Sequence, residues 1–258
     1  MRGDDGKVSR REDKDMRKDV TIGLVVPFAT DTVPEEGLKM YPDVRFVARG
    51  VGVQSLMPRG YDSAWEGIIP AAEQLAARGV DAIMVIGTSL TFYRGAEAHA
   101  DLMQALRATT GLPVSTMSQA VVEGLRGFGA RRIAVATAYA DEVNARLKGF
   151  LTAHGFDVLA LKGFGLLGFN QPDTMREDDI IALGSEVCAE APAAEGLLIS
   201  CGGLRTLGVA KPLEARHRIP VVASTQAAFW AALRLVGESG RVAGRGRLLE
   251  QAAAAPVH

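Results

Sequence analysis

Cysteine is scarce in this chain: Cys188 and Cys201 are the only two among 258 residues. A disulfide-stapled secreted scaffold is therefore excluded, and a reducing cytosol would keep both as thiols unless one served a redox or catalytic purpose. Four histidines, His99, His154, His217 and His258, show no HxxxH spacing, and no CxxC pair occurs, so no metal-binding pattern is present. Neither sign of charge is in excess. The formal net charge of -1 gives no electrostatic reason to expect nucleic acid or an anionic membrane as partner. Long apolar runs are missing too, since none reaches the roughly 18 uninterrupted residues that a membrane helix needs. Residues 1–19 mix both signs of charge without an apolar segment, and read as a disordered charged extension rather than a secretory signal. The expected setting is the cytoplasm, and a small molecule is the default partner.

What the chain does have is a series of short runs rich in Val, Ile and Leu: 20–26, 44–48, 81–87, 131–137, 157–162, 195–200 and 220–224. Helix-period stretches such as AWEGIIPAAEQLAARG, DEVNARLKGFLTAHG and DIIALGSEVCAEA lie between them. This alternation predicts an α/β fold with parallel strands buried on both faces. An internal echo sharpens the expectation. IMVIGTSL (83–90) aligns with LLISCGGL (197–204), and LPVSTMSQA (112–120) with IPVVASTQA (219–227), each as strand followed by helix start. Two related halves are expected, one over 20–126 plus 222–258, the other over 127–221, with a cleft between them. In this alignment Gly87 takes the place that Cys201 holds in the other half, so the cleft has one thiol and one gap.

In open parallel sheets, ligands gather where the strands end and backbone N–H groups are presented. Four such ends stand out: Pro27, Gly87-Thr88-Ser89, Thr137-Ala138-Tyr139 and Cys201-Gly202-Gly203. Cys201, placed by this reading at a helix N-terminus and followed by glycines that let backbone close on a ligand, is positioned to give or take protons. The same thiol also reads as a packed core side chain. Thr88 and Ser89 have hydroxyls beside their own amides, which suits either an oxyanion site or a plain helix cap. Tyr139 is either a phenol donor to that anion or an aromatic without chemical importance. Cys188, in SEVCAEA, is explained by burial on a helix face. GFGLLG (163–168) matches GxGxxG formally, but FNQPDT after it reads as a loop rather than the helix that dinucleotide binding requires.

GTSLTFYRG (87–95), ATAYADEVNARL (136–147) and LLISCGGLRTL (197–207), with YPDVRFVARGVG, GYDSAW and TMSQAVVEGLR, closely resemble the arylmalonate decarboxylase family. That family is a branch of the aspartate/glutamate racemase superfamily that also includes maleate isomerase. The likeness runs from about Thr21 to about Leu249. It implies two Rossmann-like four-stranded halves related by a pseudo-two-fold axis, a cleft active site, no cofactor and a monomer. It further implies decarboxylation of a malonic acid bearing an aryl or alkenyl group to one enantiomer of the monoacid. On this resemblance Cys201 is the proton donor, and Thr88, Ser89, Tyr139 and Gly202, with Gly87, hold one carboxylate or the enediolate. Pro27, Val53, Leu56, Tyr61 and Leu90 form the apolar lining around the other carboxylate. Phe28, the segment Phe169 to Pro172 and Val53 depart from the branch and are expected to set the size of the accepted substituent. A racemase or cis-trans isomerase of the same superfamily, and a small-acid binding protein without turnover, are the alternatives.

Overall fold

In the computed structural model, which describes residues 20–251, the apolar runs become strands Thr21–Val26 (β1), Arg45–Gly50 (β2), Ala82–Val85 (β3), Val114–Thr116 (β4), Arg132–Tyr139 (β5), Asp157–Leu166 (β6), Gly196–Ser200 (β7) and Val221–Ala223 (β8). The charged extension expected over 1–19 lies outside the described residues. Helices are Glu35–Met40 (α1), Pro58–Glu66 (α2), Ile68–Ala76 (α3), Thr88–Phe92 (α4), Gly95–Thr110 (α5), Met117–Gly127 (α6), Asp141–Ala153 (α7), Glu177–Glu190 (α8), Ala210–His217 (α9), Ser224–Leu235 (α10) and Arg247–Glu250 (α11). Local chemistry sets several boundaries. Thr116 caps α6 by accepting the Gln119 amide at 3.0 Å, and α5 stops at Gly111, whose φ of 65° suits a residue without a side chain. The stretch AWEGIIPAAEQLAARG breaks at Gly67 into α2 and α3, and Pro70 sits in the first turn of α3, where its missing N–H costs no helical hydrogen bond.

Two four-stranded sheets form, ordered β2-β1-β3-β4 and β6-β5-β7-β8, with every neighbouring pair parallel. Strands β3 and β7 are buried along their whole length, as strands covered by helices on both faces must be. The internal echo holds to the residue. Ile83, Met84 and Val85 pair with Val114, Ser115 and Thr116, while their counterparts Leu197, Leu198 and Ile199 pair with Val221, Val222 and Ala223. Counting on from these pairs, Gly87 and Cys201 occupy equivalent positions after the third strand of each sheet. The expected boundary at 221/222 cuts β8, whose last two residues still pair with β7; the chain crosses to the other half only with α10.

That crossing is reciprocal. Helix α10 follows β8 and packs on β3, β4 and α6 as well as on β7 and β8, whereas α6 follows and packs on β4 and also reaches β7 and β8. From Ser224 to Leu233 every residue of α10 is buried, as a helix enclosed on all sides must be. One continuous apolar core accordingly includes side chains from both sheets. Among the described residues, no helix is long and apolar enough to cross a membrane.

Candidate active site

The carboxyl ends of β1, β3 and β7 open on one cavity of about 370 Å³, a volume suited to a small organic ligand. Of the residues singled out from sequence, Pro27, Val53, Leu56, Tyr61, Gly87, Thr88, Ser89, Leu90, Cys201 and Gly202 all stand on its wall. Tyr139 does not. It is fully buried behind the wall, with its ring edge-on to Phe92 at 5.8 Å. Its hydroxyl lies within reach of Cys201, Ser89 and Ser200 yet completes no well-formed hydrogen bond. The Tyr61 hydroxyl is likewise buried without a well-formed bond, close to Ser89 and Cys201.

Cys201 directly follows β7, as expected, but no helix begins there. Residues 202–209 run as turns and irregular chain, and α9 opens only at Ala210. The expectation of a thiol at a helix N-terminus is corrected accordingly: the amides beside the sulfur are those of Gly203 and Leu204, supplied by a turn. Burial pushes the thiol up to about 11, against the pull of those amides and the Tyr139 hydroxyl. At neutral pH Cys201 is an acid holding its proton. Gly202 and Gly203 are closely packed against their neighbours. A Cβ at 202 would stand 3.3 Å from the Met117 sulfur, and one at 203 would stand 3.1 Å from Pro172.

On the opposite strand end, Gly87 adopts φ 117°, a conformation open to glycine and strained for other residues. No side chain caps α4, so the amides of its first turn remain available to a ligand. The Thr88 hydroxyl donates to the Met117 sulfur at 3.0 Å, and a thioether is a weak acceptor that yields to a carboxylate. Behind them Thr91, Ser118 and the Gly87 and Thr88 carbonyls form a buried hydrogen-bonded cluster that fixes α4.

The sequence reading missed several wall residues. Thr225, whose hydroxyl donates to the Gly202 carbonyl at 3.3 Å, comes from the start of α10. Glu36 and Arg205 reach the cavity rim, and no local motif marks either of them. Phe28 and Phe169, which depart from the family pattern, both line the cavity and meet edge-to-face at 6.0 Å. Pro172 packs behind the wall instead. Cys188 is buried on α8, as a structural thiol. GFGLLG runs along β6 into a loop and starts no helix. Among the described residues, no three His, Cys, Asp or Glu side chains gather into a metal-ligating group.

Two parallel sheets of like topology around a cleft that presents a single thiol define a two-lobed α/β fold, one shared with maleate isomerase from Pseudomonas putida S16 (TM-score 0.81, 20% identity, covering 91% of this chain and 99% of that one). Within that class the assignment is narrower. The sequence profile of the arylmalonate decarboxylase family matches residues 22–249, and the chain belongs to that family. It is 41% identical over 232 residues to arylmalonate decarboxylase of Bordetella bronchiseptica, covering 90% of this chain and 97% of that protein. A liganded, doubly substituted variant of arylmalonate decarboxylase superposes with a TM-score of 0.88 at 40% identity, covering 90% of this chain and 99% of the other.

Proposed function

We propose that this chain decarboxylates arylmalonic acids without a cofactor and protonates the resulting enediolate on one face from Cys201. The observation that carries the reading is the asymmetry of the two equivalent strand ends, a protonated thiol on one and Gly87 on the other, both on the same cavity wall. Family membership supports the substrate class.

The chemistry follows from the wall. One carboxylate of the substrate is held by the Thr88 and Ser89 amides and hydroxyls and the Gly202 amide. The other carboxylate faces Pro27, Val53, Leu56 and Leu90, where a charged group is poorly solvated and neutral carbon dioxide is not. The bond from the α-carbon to that carboxylate breaks, carbon dioxide leaves, and the electron pair stays behind as an enediolate. Fixed donors aimed at its oxygens lower the barrier by about 3 kcal/mol each. Tyr139 acts from behind the wall, its hydroxyl orienting Cys201 and Ser89. The thiol then gives its proton to the α-carbon, and water reprotonates the thiolate. A racemase of this superfamily needs an acid and a base on opposite faces of the carbon, and Gly87 removes one of them. We also propose that the chain acts as a monomer in the cytoplasm; the monomer is supported by the small number of well-exposed large apolar side chains among the described residues, Leu38, Met57, Leu159 and Leu167.

The deciding experiment is incubation with phenylmalonate in chelator-treated buffer, with carbon dioxide and the handedness of the monoacid recorded. One enantiomer with stoichiometric gas is expected. Exchange of the α-hydrogen of a chiral acid with solvent deuterium, without gas release, would replace the proposal with an isomerase reading, and an intact malonate complex after hours with a binding protein.

A further inference from the structure

The segment from Cys201 to Val209 that carries the thiol contains no helix or strand. Side chains from distant parts of the chain therefore set its course. Gln226 donates to the Thr206 carbonyl at 2.8 Å, Arg245 to the Leu207 carbonyl at 3.3 Å, and Glu177 accepts the Gly208 amide at 2.8 Å. A further tie comes from α1, near the N-terminal end of the described chain. Glu36, on α1, accepts the Thr206 amide at 2.5 Å and the Leu207 amide at 3.1 Å through Oε1, and the Thr206 hydroxyl at 3.1 Å through Oε2. Thr206 is thus gripped on both sides of its backbone, at the N–H by Glu36 and at the C=O by Gln226.

Glu36 is placed for this by its neighbour. A Cβ at Gly37 would stand 2.1 Å from the Phe229 ring, so α1 lies against α10 at a distance that only glycine permits. Burial raises the Glu36 carboxyl while its three donors oppose the rise. A partly buried carboxylate that satisfies three donors is costly to remove, because the amides left behind lose their partners.

We infer that Glu36 is a positioning residue for the reaction proposed above: reaching across the cleft, it fixes the Cys201–Leu207 turn so that the thiol meets the α-carbon at one distance and from one side. This rests on that functional reading for its catalytic consequence, though not for the clamp itself. A misplacement of about 1 Å at a reacting group is enough to lower a rate about 100-fold.

The test compares Glu36→Ala with Glu36→Gln. Glutamine can accept both amides through its carbonyl and donate to the Thr206 hydroxyl, so it keeps the geometry without the charge. Four quantities are read: kcat and KM on phenylmalonate, enantiomeric purity of the product, melting temperature, and the rate of Cys201 alkylation by iodoacetamide, mapped by peptide mass spectrometry. For Glu36→Ala we expect kcat to fall about 100-fold with little change in KM, purity to drop, and the alkylation rate to change. Glu36→Gln should stay near the parent in all of these. A Glu36→Ala protein that merely melts earlier, with kcat, purity and alkylation unchanged, would overturn the inference, as would Glu36→Gln failing as badly as Glu36→Ala. Should Glu36→Ala not fold, Glu36→Asp, a methylene too short to reach all three donors, is read in the same way. If the parent protein leaves phenylmalonate untouched, the functional reading fails, and the alkylation rates still decide whether Glu36 sets the position of the thiol.

Discussion

Cys201 has to keep its proton until a carbanion forms beside it, and burial ensures that it does, with a pKa pushed up to about 11. Activity should hold through neutral pH and fall as pH rises toward about 11, with iodoacetamide labelling of Cys201 rising over the same window. Cys201→Ala should retain its circular dichroism spectrum and lose turnover by about 1000-fold or more, as removal of a general acid does; near-parental gas release would remove the thiol from the reaction. Gly87 offers the complementary test. A Cβ there would stand 3.2 Å from the Leu90 Cβ at a φ of 117°, so Gly87→Cys should cost about 1–3 kcal/mol in chemical denaturation. It should also lower the optical purity of the product, because a second thiol would then stand at the position equivalent to Cys201.

The elements around the cavity make predictions of their own. Phe28 and Phe169 meet edge-to-face on the cavity lining, and Phe169→Val would remove half of that contact. Turnover of naphthylmalonate relative to phenylmalonate should rise several-fold, read as the ratio of kcat/KM values. Between α5 and the start of α6, the His99 ring lies buried with Nε2 2.7 Å from the Thr116 hydroxyl, and burial, aided by His154, lowers its pKa to about 4. The unfolded chain binds that proton more readily, so the associated stability is present above pH 6.5 and is lost as pH falls toward 4. The effect is on the order of 3 kcal/mol, and His99→Gln should flatten the dependence of melting temperature on pH across that window. Strands and most helices could be read from the chain because buried parallel strands must be continuously apolar. The turn after Cys201 could not. Glycines at 202 and 203 fit a helix start as well as a turn, and what selects the turn are partners as remote as Glu36, Gln226 and Arg245. Glu36 itself, in VPEEG, looks like an ordinary acidic residue in the first turn of a helix. Tyr139 was found by its place at a strand end, but only packing shows that it stands behind the wall.

In the whole molecule, the two sheets share one strand order and one pairing register between their third and fourth strands. The resemblance between the halves was visible in sequence because the same depth of burial selects the same apolar residues twice, and the difference at 87 and 201 was visible because it departs from that repeat. The reciprocal crossing of α6 and α10 was not visible, since it is a matter of which surface each helix packs on rather than of its own pattern. It also governs how the cleft can behave. Each lobe has lent a helix to its twin, so prising them apart would strip apolar surface from both at once. Opening the jaws would therefore cost buried apolar contact on both sides, whereas turning side chains such as Phe28 and Phe169, which line the cavity, would not.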